Sequence, residues 1–231
     1  MRFNSDQIQK IGKEISSKVD GKTLFDEFSR GRYSTDASVY QIKPLGVVLP
    51  KDTNDVLNLM EYSQKNSVPL LARGGGSSQC GQTVGESVVL DYSKHQNKIL
   101  ELNVEEKYVW VQPGVVLDHL NDYLKPHGLW FPVDVSTSSR ATIGGMSANN
   151  SCGSRSLYYG NMVHNVLAIE AILDDGSIFQ FDQINKNYLA TKNNQDRLYK
   201  IIDKFIDVRQ KVGSEIDANW PTTQRRVGGY N

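Results

Sequence analysis

Cysteine is nearly missing from this chain, with Cys80 and Cys152 the only two in 231 residues. Two thiols build no disulfide framework, their spacing fits no zinc site, and no cysteine run suits an iron–sulfur cluster. Net charge is missing as well, because 26 lysines and arginines stand against 26 aspartates and glutamates. With no positive field and no basic stripe interleaved with aromatics, nucleic acid is not expected as a partner. No apolar run approaches the roughly 20 residues of a membrane-spanning helix. The opening segment MRFNSDQIQKIGKEISSK has no apolar stretch of the signal-peptide kind. A reducing, cytoplasmic setting is the expectation. His95, His119, His127 and His164 are scattered and share no ligand spacing, so no metal is expected. Internal repeats and low-complexity tracts are absent too.

What is present is an ordinary globular balance, 39% apolar and 23% charged. Helices are expected over 4–19 and 23–29, and another after an Asp52 N-cap, with Val56, Leu57 and Met60 on one face. Strands are expected at 47–50, 68–72, 87–92, 98–104 and 108–113. A helix over 115–128 stops at Pro126-His127-Gly128. Residues 166–173 and 177–181 read as a hairpin, and 195–212 as a helix with an apolar face. The pattern is α+β. Cys80 and Cys152 are expected to be small buried residues without chemistry.

Glycine is concentrated where no element is expected. LLARGGGSSQCGQTVGE, residues 70–86, follows a strand. A dinucleotide fingerprint fails, since Gly74 and Gly76 fit but Gln79 holds the third glycine position. A phosphate loop fails too, because Gln82 stands where the lysine belongs, and the loop leads to a strand rather than a helix. The remaining readings are a plain glycine turn and an anion nest. In a nest, successive backbone N–H groups face a pyrophosphate and Ser77 and Ser78 add hydroxyl donors. A second stretch, TIGGMSANNSCG at 142–153, has the same character, with Gly144 and Gly145 beside Asn149, Asn150 and Ser151. Two such loops suit one extended ligand.

The words PLLARGGGSS, GQTVGESVVLDYSK, VQPGVVLDHLNDYLKPHGLWFPVD, TIGGMSANNSCG, YYG and VLAIEAILDDG occur in that order over 44–176. In this the chain resembles the FAD-binding domain of the vanillyl-alcohol oxidase / p-cresol methylhydroxylase flavoproteins. The nearest branch holds D-lactate dehydrogenases, glycolate oxidase D-type subunits and D-2-hydroxyglutarate dehydrogenases. The resemblance implies a two-subdomain α+β fold, about 1–92 and 93–231, with a small sheet, a larger mostly antiparallel sheet, and FAD between them. It assigns Arg73, Gly74, Gly75, Gly76, Ser77, Ser78 and Gln79 to the first pyrophosphate loop. Pro132 and Asp134 would lie along the cofactor, the alternative for Asp134 being the cap of a turn. Thr142, Ile143, Gly144 and Gly145 would make the second phosphate and ribityl contact. Asn150 and Gly153 match the family's N-x-x-G step, Tyr159 and Gly160 its Y-G, and the strand from Val166 would run beside adenine. Some relatives attach flavin through a histidine just after the glycine run. Ser77 and Ser78 stand there in this chain, which implies non-covalent FAD.

The segment RGRYSTDAS at 30–38 also matches the branch, for a role near the flavin or a structural one. The implied activity is hydride transfer from a D-2-hydroxy acid such as D-lactate to FAD. Electrons would then pass to a quinone, cytochrome or iron–sulfur partner, with peripheral membrane association of the intact enzyme. The family's substrate or cap domain is expected to lie outside this chain, so no catalytic residue is assigned. Two alternatives stand beside this reading. One is the FAD domain of a flavo-oxidoreductase for an alcohol, amine or sugar. The other is a module that keeps the fold without catalysis.

Overall fold

The computed structural model describes residues 3–183 and 197–223. In chain order the first half holds α1 (Ser5–Ser16), β1 (Lys22–Leu24), α2 (Glu27–Arg32), β2 (Gly46–Leu49), α3 (Thr53–Asn66), β3 (Leu70–Arg73) and β4 (Val88–Asp91). The second holds β5 (Ile99–Asn103), β6 (Tyr108–Val111), α4 (Leu117–Leu124), α5 (Ile143–Ala148), α6 (Ser156–Tyr159), α7 (Met162–Asn165), β7 (Ile169–Ile172), β8 (Ile178–Phe181) and α8 (Arg197–Asn219).

The valine-rich runs GVVL and VVLD become β2 and β4, with every residue buried. Unbroken apolar runs suit strands covered on both faces. The two pair in parallel, Val47 opposite Val89, and β3 lies parallel on the far side of β4. β1 closes the other edge antiparallel to β2, giving the order β1-β2-β4-β3. Side chains alternate across this sheet. Val48, Val88 and Leu90 meet Ile8, Ile11 and Ile15 of α1 and Val56, Leu59 and Tyr62 of α3. Val47, Leu49 and Val89 face the other way, onto Leu24, Tyr33 and Leu71. The carboxyl ends of β3 and β4 emerge together, so the glycine loop after β3 starts from a rigid edge.

The antiparallel part consists of two separate ribbons among the described residues, β5 with β6 and β7 with β8. Val115, Leu120 and Leu124 cover the first ribbon through Ile99, Leu102, Val109 and Val111. Leu117, Val133, Ala141, Met146 and Met162 form a further core beneath the second glycine-rich segment.

Several boundaries differ from expectation. The helix expected over 23–29 is instead the end of β1 followed by α2, because Lys22–Leu24 pair with β2 and Asp26 caps a new helix through Ser29 N–H. The helix expected over 115–128 starts at Leu117, since Val116 is held extended by a bridge to Thr142. It ends in a 3-10 turn, 125–127, closed by Gly128 at φ 69°. The strand expected from Val166 begins at Ile169, because Val166 caps α7. The second glycine-rich stretch, 142–153, where no element is expected, contains α5, and α6 follows it. Helix α8 runs on to Asn219; residues 195–196 of the expected helix and 224–231 lie outside the described residues. Neither cysteine is buried, Cys80 being exposed and Cys152 half-exposed.

Candidate functional site

Strand β3 delivers Arg73 to the start of the glycine loop. Its guanidinium is held beneath that loop: Nη2 donates to Thr35 O at 2.9 Å and Nη1 to Thr83 O at 3.2 Å. It also lies 5.2 Å over the Tyr33 ring, whose hydroxyl donates to Asp91 Oδ2 at 2.7 Å. Burial draws the Arg73 pKa down, against the opposing pull of Asp91 and Asp36. Burial and the bond to Asp91 push the Tyr33 phenol up to about 12. The arginine braces the loop through carbonyl oxygens.

The loop itself offers backbone. The N–H groups of Gly74, Gly75, Gly76, Ser77, Ser78 and Gln79 donate to no described atom of the chain. Gly76, at φ 64°, turns the run, and Ala37 N–H holds its carbonyl at 3.1 Å. Thr83 Oγ1 donates to Asp36 Oδ2 at 3.0 Å. The 30–38 segment therefore supports the glycine loop through Thr35, Asp36 and Ala37. Of the serines expected as hydroxyl donors, Ser78 is engaged, donating to Gln82 Oε1 at 2.6 Å. The Ser77 hydroxyl has no partner among the described residues.

The second loop is built differently. Thr142, 2% exposed, caps α5 by accepting from Gly145 N–H at 3.3 Å. Ile143 N–H donates to Val115 O at 2.8 Å and Gly144 N–H to Pro113 O at 2.9 Å. These donors are engaged within the fold, so the segment presents a tight platform of small residues rather than a second nest. A Cβ at Gly74 would strike Thr142 Oγ1, and one at Gly75 the Arg140 carbonyl oxygen. The two loops are thus in contact, and the glycines are what allow it. They meet again through Gln82 Nε2, which donates to Asn149 Oδ1 at 3.1 Å.

The remaining assigned residues lie farther along, each held by its own local contacts. Asn150, left-handed at φ 47°, accepts from Val163 N–H at 3.1 Å. Asp134 accepts from Ser154 Oγ at 2.7 Å and Arg155 N–H at 2.9 Å. Burial raises its pKa, but these bonds outweigh it and hold the carboxyl below 3.8. Gly153 packs so closely on the Asp134 carbonyl that no side chain fits there. Pro132 is half-buried beside the fully buried Val133. The Tyr159 ring meets Trp130 edge-on at 5.1 Å, with Arg155 over the same indole. Gly160, at φ 78°, packs on His164, whose Nδ1 accepts from Asn161 N–H. Val166 lies beyond the first contacts, packed on the core under α5. The Thr35–Ala37 stretch falls within the 30–38 segment expected to serve near the flavin or structurally, whereas Arg140 and Gln82 are not site residues on sequence grounds. Their only signal is position beside a glycine run. Among the described residues no acidic, histidine or cysteine cluster suits a metal, and no helix is long and apolar enough to cross a membrane.

A run of consecutive unpaired N–H groups is the donor set a pyrophosphate takes, so the chain's own residues fit FAD. Comparison with known proteins agrees. Residues 44–182 match the family model of the FAD binding domain. The chain is 44% identical over 158 residues to D-2-hydroxyglutarate dehydrogenase of Haemophilus influenzae, covering 66% of this chain and 15% of that protein. It is 35% identical to glycolate oxidase subunit GlcD of Bacillus subtilis, covering 75% and 38%. Among solved structures, wild-type Physcomitrella patens BBE-like 1 superposes with a TM-score of 0.65 at 20% identity, covering 78% and 38%. The structure of 6-hydroxy-D-nicotine oxidase from Arthrobacter nicotinovorans gives 0.63 at 16% identity, covering 71% and 36%. These likenesses show the shared α+β fold. The chain spans 15% to 22% of the length of the D-2-hydroxyglutarate dehydrogenases it matches. With the family model over most of its length and a nest of free N–H groups in the matching place, the chain belongs to the FAD-binding domain family, and its cofactor is FAD.

Proposed function

We propose that this chain is the FAD-binding part of a flavin-dependent dehydrogenase that oxidises a D-2-hydroxy acid, with D-2-hydroxyglutarate and D-lactate the leading substrates. The observation that carries it is the unpaired N–H run from Gly74 to Gln79, joined to 44% identity with a protein named D-2-hydroxyglutarate dehydrogenase. The chemistry that FAD supplies when bound is acceptance of a hydride from carbon 2 of the acid. The chain's residues bind and orient. Gly74–Gln79 meet the pyrophosphate with dipoles, the Ser77 hydroxyl adds a donor, and Gly144 and Gly145 allow close approach at the second loop. Asp134, Asn150, Gly153, Tyr159 and Gly160 face the remainder of the cofactor, with Val166 in the core behind them. Binding is non-covalent, because Ser77 and Ser78 stand where a tethering histidine would be. The two subdomains divide near residue 92, after β4. Substrate-binding groups and the proton acceptor belong to the rest of the full-length protein, which passes electrons to a quinone, cytochrome or iron–sulfur partner at the inner face of a membrane.

The test is an absorbance spectrum after incubation with FAD and gel filtration. Flavin bands should co-elute and be released by denaturation. Gly75→Val, which drives a side chain into the Arg140 carbonyl, should abolish co-elution and cost about 1–3 kcal/mol of stability. Full-length protein should reduce its flavin with D-2-hydroxyglutarate or D-lactate and not with their L-enantiomers. A folded chain that stays colourless at high FAD concentration would overturn the reading.

A further inference from the structure

The two cofactor loops come from distant parts of the chain, yet four polar side chains join them in one line. Ser78 Oγ donates to Gln82 Oε1 at 2.6 Å, and Gln82 Nε2 donates to Asn149 Oδ1 at 3.1 Å. Asn149 Nδ2 donates in turn to Ser151 Oγ at 3.0 Å. Every link runs in the same direction. Each amide uses its oxygen toward the first loop and its nitrogen toward the second, so both must hold one orientation. Cys80 N–H donates to Ser78 Oγ at 3.1 Å, which fixes the start of the line to the backbone. At the other end the Ser151 hydroxyl hydrogen has no acceptor among the described residues.

The position of this line matters more than its length. On one side the loops touch at the glycines, Gly74 against the Thr142 side chain and Gly75 against the Arg140 carbonyl. Arg73, Asp36 and Ala37 brace the first loop against the 30–38 segment, but those bonds do not set its distance from the second loop. Glycine loses more freedom on ordering than any other residue, so a nest able to shift against the second loop would settle fully only on binding and would bind more weakly. The Gln82–Asn149 bond supplies the second anchor, on the far side of Ser78.

We propose that Gln82 and Asn149 are positioning residues, a polar clasp that sets the spacing between the pyrophosphate loop and the second loop before FAD arrives. The inference rests on the FAD-binding reading and goes beyond it, since neither side chain needs to touch the cofactor. The clasp acts through pairing, so its two halves are energetically one unit.

The test is a double-mutant cycle in this chain, read as the FAD dissociation constant from flavin fluorescence. Gln82→Met keeps length and shape and removes the bonds; Asn149→Leu does the same from the other loop. Each should weaken FAD binding about tenfold, and the double variant should be no weaker than either single one, the sign of one shared interaction. Circular dichroism and melting establish that each variant is folded. Independent effects that multiply in the double variant, or no effect in either, would overturn the clasp. Amide hydrogen exchange of FAD-free protein gives a second reading that does not require the cofactor. Gln82→Met should speed exchange at the bonded amides of Cys80 and Thr83 and also over 149–153, while Asn149→Leu speeds the same two sets. Faster exchange confined to the mutated loop would overturn the clasp as well. A parent chain that fails to bind FAD would overturn the functional reading, and the exchange experiment would still decide the clasp.

Discussion

At the residue scale, Asp134 shows how a loop without regular structure is made rigid. One carboxylate holds the Ser154 hydroxyl and the Arg155 N–H, while Gly153 lies against its carbonyl. Burial works against ionisation here, and the two hydrogen bonds outweigh it, so the folded pKa lies below 3.8. A carboxyl with a depressed folded pKa adds stability that is complete above its unfolded value and is lost as pH falls through the folded one. Asp134→Asn should therefore melt below the parent at neutral pH, and the gap should close as pH falls below the ordinary carboxylate range. Water screens a partly exposed group, which keeps the effect small. Melting curves across that range check it, and a gap that stays constant would mean the carboxylate charge contributes nothing. The role of Asp134 in holding Ser154 and Arg155 was not legible in sequence. Asp134 was marked through family resemblance as lying along the cofactor, or else as the cap of a turn, but its partners come from a segment 20 residues on.

Elements repeat the same device on a larger scale. Helix α3 is placed by Asp55, 3% exposed, whose carboxylate accepts from Asp20, Gly21 and Lys51 N–H groups at 2.7 to 2.9 Å. Asp52 separately caps the helix through Asn54 and Asp55 N–H. The cap was legible, being an acidic residue just before an apolar period. Asp55 was not, because its partners lie before β1 and after β2, and nothing local marks an aspartate that serves other segments. Replacing it with asparagine turns one acceptor into a donor facing a part-buried N–H. A buried donor left without an acceptor costs about 1–3 kcal/mol, so Asp55→Asn should lower unfolding free energy by about 2 kcal/mol in urea. A loss below about 0.5 kcal/mol would show that the backbone contacts hold α3 unaided. The misplaced boundaries have the same origin. Thr23 and Leu24 fall in the helix expected over 23–29 because a three-residue strand carries too little periodicity, and pairing with β2 decides otherwise. The central strands were plain because Val47–Leu49 and Val88–Leu90 are apolar without interruption.

For the molecule as a whole, charge balance and the glycine nest lead to one expectation about recognition. The chain carries no formal net charge. Arg73, the cation nearest the nest in sequence, donates to Thr35 and Thr83 carbonyls and sits on Tyr33. The uncharged unpaired donors at the site, among the described residues, are the backbone N–H groups from Gly74 to Gln79 and the Ser77 hydroxyl. Dipoles at contact distance are screened by salt far less than separated charges, whose interaction range falls from about 14 Å at 0.05 M to about 4 Å at 0.5 M. FAD affinity should therefore change by less than about threefold across that range of salt. Titrations of flavin fluorescence at several salt concentrations check this. A loss of tenfold or more would place a cation on the pyrophosphate, and Arg140 is the candidate. Its carbonyl lies against Gly75, and its guanidinium has no partner among the described residues. Arg140→Gln would then flatten the salt dependence, whereas a chain bound through dipoles alone would show the same shallow slope with or without that arginine.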